Sequence, residues 1–324
     1  MSSTTHHPEV VLVTGGAGFI GANFLRWMVP RYPEVEFINL DALTYAGNLM
    51  NLVDIEDAEN YQFIKGDITD APMVRELFQE KSISTVVHFA AESHVDRSIL
   101  DPLAFIRTNV IGTGALLEAA RRSWLEDAID ANDYRFYHIS TDEVYGSLGE
   151  EGYFDEDTPY DPSSPYSASK AGSDHLVRAY GRTYGLPYVI SNCTNNYGPY
   201  QFPEKLIPLV IRNTVRREPI PVYGTGENIR DWLFVTDHCR AIEQILLNGS
   251  NHQTYPVSGN NERTNLEIVH RITDLADRAL DRPPQSSRKL IQFVKDRPGH
   301  DFRYAMDSSR TQNELGWAPQ HTLE

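Results

Sequence analysis

The chain is predicted to be an α/β protein, a doubly wound parallel sheet with a smaller, discontinuous second domain. Three observations carry this expectation. A β-branched run ends in a glycine loop that opens a helix, short apolar runs then alternate with helical spacing, and the texture turns proline-rich after Asn192. Strand, tight turn and helix in that order start a βαβ unit, and continued alternation implies a parallel sheet covered on both faces. The 324 residues suffice for one large or two modest domains, and 40% apolar residues predict an ordinary globular core.

Glu9 to Thr14 reads as the first strand and Ala22 to Val29 as the helix that follows the loop. Val35 to Leu40 is the second strand, ending at Asp41, and Tyr61 to Lys65 the third, ending at Gly66-Asp67. Thr85 to Phe89, Tyr134 to Ser140 and Tyr188 to Asn192 supply three more, with helical spacing at 71-80, 101-123 and 165-184. Beyond them Pro199, Pro203, Pro208, Pro219 and Pro221 punctuate short elements. A helical stretch at 205-216 is basic at its end, Thr236 to Leu247 reads as a helix, and Thr254 to Val257 as a strand. The expected division is a nucleotide-binding domain over 1-190 and 236-258 and a substrate-covering domain over 191-235 and 259-324.

A net charge of -16 makes nucleic acid and anionic membrane poor partners, although a small anion still binds where arginines gather. Cys193 and Cys239 are too few for a disulfide framework or a zinc ribbon, and the chain reads as cytosolic. The first eight residues are polar with no apolar signal core, and no run reaches the ~18 apolar residues of a membrane span. His6 and His7 in that tail are expected to be solvated, with no metal site.

Gly15, Gly18 and Gly21 stand three apart around Phe19 and Ile20, directly after a strand and at a helix start. There a pyrophosphate meets backbone N–H groups at the helix N-terminus, as in Rossmann-type sheets. Asp41 follows twenty residues after Gly21, where a carboxylate accepts the adenosine ribose hydroxyls, and no Lys or Arg lies between Asp41 and Met50 to take a 2'-phosphate. NAD is therefore expected over NADP. Asp67 and Ile68 end the third strand where an adenine edge would sit, with a solvated strand-end aspartate the equal alternative. Ala90 and Ala91 offer small residues along the cofactor's path.

Tyr166 and Lys170 are one helical turn apart, so an ammonium is expected near the phenol, favouring phenolate and making a base toward a substrate hydroxyl. Thr141, Asp142 and Glu143 end a strand, where ligands gather in such sheets. Neighbouring strand side chains alternate faces, so both acids reach one substrate only if the chain leaves extended geometry, as Gly146 permits. Oxidising a carbinol would acidify the adjacent C–H, which one carboxylate removes while the other, protonated, assists loss of a hydroxyl.

At these residues the chain resembles the extended short-chain dehydrogenase/reductase family, most closely its nucleotide-sugar dehydratases. The likeness runs from Thr14–Gly21 through 41-48, 88-98, 141-143 and the Tyr/Lys helix into 195-208, Arg230-Asp231-Trp232 and 297-301. It implies NAD-dependent conversion of a dTDP-linked glucose to its 4-keto-6-deoxy form. In that comparison Tyr166 takes the C4 hydroxyl proton with Lys170 tuning it, Thr141 bonds near the C4 oxygen, Glu143 takes the C5 proton and Asp142 protonates the departing C6 hydroxyl. The same resemblance puts the nucleotide sugar against Ser93, Thr141, Asn195, Lys205, Leu206, Pro221, Tyr223, Arg230, Asn265, Arg297 and His300. Arg230 and Arg297 suit a diphosphate, because guanidinium gives forked donors.

The resemblance further implies a homodimer through helices near 101-123 and 165-184, and relatives continue past Glu324 into a final helix. Ala42 and Thr194 stand where relatives often carry Lys and Ser, and the segment between Gly146 and Tyr166 is short. Epimerases and decarboxylases of the same fold are the rival enzymes, and a silent NAD-binding regulator the rival of another class. The acid pair speaks against the first two, and the intact Tyr166, Lys170 and Glu143 against the third. Thymine and uracil differ by a methyl group, worth only ~1 kcal/mol, so dTDP against UDP stays open.

Overall fold

A computed structural model describes residues 5–125 and 133–323. The first half runs β1 (Val10–Thr14), α1 (Phe19–Met28), β2 (Glu36–Asp41), β3 (Tyr61–Lys65), α2 (Ala71–Lys81), β4 (Thr85–His88), α3 (Val95–Leu100), α4 (Pro102–Phe105), α5 (Thr113–Leu125), β5 (Arg135–Thr141) and α6 (Pro165–Tyr184). After β6 (Tyr188–Cys193) come β7 (Asn195–Tyr197), α7 (Leu206–Arg216), β8 (Ile220–Tyr223), β9 (Ile229–Phe234), α8 (Val235–Asn248), β10 (Gln253–Val257), β11 (Glu262–Thr264), α9 (Asn265–Ala279), β12 (Ile291–Val294) and α10 (Ser309–Leu315).

Seven strands form one parallel sheet in the order β10-β6-β5-β4-β1-β2-β3. Strand side chains alternate between faces. Val11 and Val13 of β1 accordingly join a core with Phe24, Leu25, Ile242 and Ile245 of α1 and α8. Leu12 joins the opposite core with Phe78, Leu116, Trp124 and Val177 of α2, α5 and α6. Burying each such side chain stabilises the fold by about 1.5–3 kcal/mol. The strand order reverses at β1, between β2 and β4, and ligands bind outside the strand ends at such a point.

The remaining strands form a β11-β9-β7 sheet and a β12-β8 pair, packed with α7 and α9 around Val210, Ile220, Val222 and Val269. The sequence reading assigned no element to most of this region. Its strands are three to six residues long and pair with distant partners, which leaves little local periodicity. One signal was nonetheless present. Thr264 and Glu267 form a capping box at the start of α9.

Two expectations need correction. The helix expected over 101-123 is broken: α4 passes into a wide π-helical turn at Ile106–Gly112 before α5 begins. Asn109 in that turn accepts from Glu92 N at 2.8 Å and donates to Glu92 O and to Ser169 Oγ, tying the loop after β4 to α6. Periodicity does not register such a cross-chain tie. His6 is likewise buried, not solvated, with Nε2 2.8 Å from Thr85 Oγ1 and its backbone N–H on Leu247 O; His7 is exposed as expected. Among the described residues no helix is long and apolar enough to cross a membrane, and none form a metal-holding cluster.

Candidate active site

A cavity of about 330 Å³ opens at the carboxyl ends of β1, β2, β4, β5 and β6. Its floor is the glycine loop. Gly15 has φ +72°, and a Cβ there would stand 2.7 Å from the backbone of Ala90. A Cβ on Gly21 would stand 2.4 Å from Gly15 O, so the absent side chains let α1 start directly against the loop. Gly18 caps α1 with no side-chain hydrogen bond, leaving first-turn N–H groups for an anion. Phe19, Ile20, Asp67, Ile68, Ala90 and Ala91 all line the cavity.

Asp41 lines it too, and is buried. Its carboxylate accepts Ala17 N at 2.9 Å and Leu43 N at 2.8 Å, and burial raises its pKa against those bonds. An ionised carboxylate has about four lone-pair positions, so acceptor capacity remains for ribose hydroxyls. Asp67 Oδ1 takes the Thr69 N–H and hydroxyl, both at 2.8 Å, in a turn of its own. The donor set, the uncapped helix start and the absence of cations from 41-50 fit an NAD-type dinucleotide.

At the other end the chain leaves β5 as the acid pair requires. Thr141 is still extended, Asp142–Tyr145 form a 3-10 turn, and Gly146 at φ +87° ends it. Asp142 and Glu143 thereby line one cavity with Thr141, Tyr166 and Lys170. Thr141 Oγ1 donates to Asp142 Oδ1 at 3.1 Å. Burial, then the Glu143 charge, push the Asp142 pKa well above the usual carboxylate range. Burial also raises Glu143, while Arg297, Arg230 and Lys205 oppose the rise.

The Tyr/Lys pair differs from expectation. Burial, then Glu143, raise the Tyr166 phenol well above its ordinary pKa, with Thr141 opposing. The Lys170 ammonium donates to Ile139 O at 2.9 Å and lies 3.4 Å from His138 Nε2. The charge that lowers a phenol's pKa is thus held in the β5 backbone, one helical turn from Tyr166.

Of the residues assigned to a nucleotide sugar, Ser93, Thr141, Asn195 and Lys205 line the cavity, and Lys205 Nζ donates to Ser93 O at 3.0 Å. Leu206, Pro221, Tyr223, Arg230, Asn265, Arg297 and His300 lie outside that wall. Leu206 packs on the small core, Pro221 sits exposed in β8, and Asn265 N bonds Asn228 O. Tyr223 donates to Asp96 Oδ2 at 3.1 Å, and His300 Nδ1 lies 2.6 Å from Asp296 Oδ1. Arg230 is buried and spends its terminal nitrogens on Ile229 O, Asp301 O and Phe302 O, over the Tyr304 ring. Arg297 keeps a buried Nε with no hydrogen-bond partner among the described residues, and its charge acts on Glu143.

A family model described as GDP-mannose 4,6 dehydratase matches residues 12–324. The chain belongs to that family. Within this dehydratase family it is 57% identical over 315 residues to dTDP-glucose 4,6-dehydratase of Xanthomonas campestris pv. campestris strain B100, covering 97% of this chain and 89% of the relative. It is 51% identical over 324 residues to the enzyme of that name from Salmonella typhimurium strain LT2, with the same coverage. Among solved structures it is similar to DesIV, a dTDP-glucose 4,6-dehydratase from Streptomyces venezuelae with NAD and TYD bound, at 44% identity and TM-score 0.88, covering 97% of this chain and 93% of that one.

Sequence reasoning missed several lining residues of this family site, including Thr108, Cys193, Phe202 and Glu204. Cys193 closes a strand, which was a usable signal. Thr108 comes from the π-helical turn, and nothing local announced it. Arg97 stacks 3.6 Å over the Tyr45 ring and bonds Glu204 Oε2 at 3.1 Å, joining three distant segments at the mouth.

Proposed function

We propose that the chain converts dTDP-glucose to dTDP-4-keto-6-deoxyglucose, using NAD that is regenerated in each turnover. The observation that carries this reading is one cavity walled by Asp142, Glu143, Tyr166 and Lys170 together. When bound, NAD supplies a hydride acceptor at C4 and then a hydride donor to C6. Tyr166 takes the C4 hydroxyl proton in its ionised form, which the Lys170 ammonium one turn along α6 favours against burial and the Glu143 charge, while Thr141 bonds that oxygen. The new ketone acidifies C5–H, and Glu143, held toward its ionised form by Arg297, Arg230 and Lys205, removes that proton. Asp142, its pKa raised by burial and by Glu143, gives a proton to the departing C6 hydroxyl so that water leaves, and the proton on Glu143, exchangeable with solvent, returns to C5 as hydride reaches C6.

In this reading segments 1-190 and 236-258 hold NAD and 191-235 and 259-324 take the nucleotide sugar, with Arg297 on the diphosphate. Two copies pair through the exposed Leu100, Leu103, Ile106 and Ile111, and light scattering on the purified chain tests the pairing. The reading also puts the reaction in the cytoplasm, supported by two free, buried cysteines. The decisive experiment is incubation with dTDP-glucose in deuterated water. A 4-keto-6-deoxy product carrying deuterium at C5 supports the proposal; dTDP-galactose in its place means epimerisation.

A further inference from the structure

Behind the cavity wall lies a buried polar chain that the steps above do not use. Tyr166, Lys170 and Asp174 follow at i, i+4 and i+8 of α6 and share one face. Asp174 has 0% exposure, and a carboxylate so placed persists only when a cation and hydrogen bonds offset its desolvation. Its Oδ2 accepts from Ser140 Oγ and from Tyr160 OH, both at 2.8 Å, and Arg178 donates to that tyrosine oxygen at 2.9 Å. Its Oδ1 lies 3.0 Å from His138 Nε2 and has no well-directed hydrogen-bond partner among the described residues. Lys170 Nζ stands 3.4 Å from the same His138 nitrogen.

The neighbours leave Asp174 as the anion that acts on Lys170. His138 on β5 is neutral, its pKa pushed down to about 4 by burial and then by the Lys170 charge. His88 on β4, with its ring 5.2 Å from His138, is lowered further by burial. Cys193 on β6 is a thiol raised to about 12 by burial. Tyr145 and Tyr160 are hydroxyls raised by burial and then by Asp174, and Arg178 is the remaining cation. Burial lowers Lys170 and Asp174 opposes it; burial raises Asp174, but His138, Lys170 and Ser140 bring it below its ordinary value.

We propose that Asp174 is the buried counter-ion and positioning residue of the hydride site, holding Lys170 charged and aimed and so setting the alkaline limit of proton removal by Tyr166. This rests on the roles of Tyr166 and Lys170 given above. Asp174 touches neither substrate nor cofactor in this account and works through Lys170.

The test is the pH profile of single-turnover NADH formation from dTDP-glucose. Relative to the unsubstituted chain, Asp174→Asn lowers the alkaline limb by about one pH unit or more, because an uncompensated buried ammonium loses its proton more easily. Asp174→Glu restores the limb, and Tyr160→Phe, which removes a hydrogen bond but no charge, leaves it in place. An unmoved limb in Asp174→Asn, or an equal shift in Tyr160→Phe, overturns the proposal. If Asp174→Asn does not fold, the Asp174→Asn, Lys170→Met double variant decides it: recovery of a cooperative denaturant transition supports the pairing, because the uncompensated ammonium leaves with its partner, and continued failure to fold overturns it. Absence of NADH formation in the unsubstituted chain would instead count against the proposed function.

Discussion

The Thr141 hydroxyl donates to Oδ1 of Asp142 at 3.1 Å, while Oδ2 of that carboxyl is buried with no hydrogen-bond partner among the described residues. Burial and then the neighbouring Glu143 charge raise the pKa of that carboxyl well above the usual range against the Thr141 bond, which favours the protonated form that the proposed acid role requires.

Asp142→Asn and Glu143→Gln are therefore expected to slow water elimination roughly 10²–10⁴-fold, the usual worth of a general acid or base, while sparing the first oxidation. Stopped-flow absorbance would show NADH formed and held, with 4-keto-6-deoxy product delayed. Equal loss of both half-reactions would contradict the assigned roles.

Arg297 and Arg230 separate by their partners. With Nε unbonded, Arg297→Ala should raise the KM for dTDP-glucose by about 10–100-fold, the range expected for one charge-assisted hydrogen bond, with little change in melting temperature. Arg230→Ala removes a buried guanidinium that bonds three backbone carbonyls and stacks on Tyr304, so its main effect should be a lowered melting temperature. Paired kinetics and thermal melts check both.

Gly15→Ala places a Cβ 2.7 Å from the Ala90 backbone at φ +72°. Left-handed strain alone costs about 1–2 kcal/mol. The Ala90 displacement should weaken NAD binding by roughly tenfold or more. Calorimetric titration with NAD reads that loss directly, and unchanged affinity would place the dinucleotide elsewhere.

His238 is fully buried with Nδ1 2.9 Å from Asn196 Oδ1, and burial lowers its pKa from 6.5 to about 3. The unfolded chain therefore binds this proton near pH 6.5 and the folded chain does not. Its contribution is complete above that pH and is lost as pH falls toward 3, by up to about 1.4 kcal/mol per pH unit. Urea unfolding between pH 7 and 4.5 should show the decline, with a shallower slope in His238→Gln.

The sequence by itself determined what depends on neighbours along the chain. Glycine spacing at 15, 18 and 21, the acid ending β2, the Tyr166/Lys170 turn and the alternation of strand and helix all follow from backbone freedom and side-chain period, which are local properties. Even the exit of Asp142 and Glu143 from extended geometry was legible, because Gly146 marks the turn. Tertiary structure alone decided the state of those groups. Desolvation and neighbouring charge raise the pKa of Asp142, backbone carbonyls from 229 and 301-302 claim Arg230, the Glu92 backbone bonds the Asn109 side chain, and Thr85 of β4 meets His6. Each of these rests on groups apart in sequence that only packing brings within a few ångströms, where exclusion of water makes charge and hydrogen bonding strong enough to set chemistry.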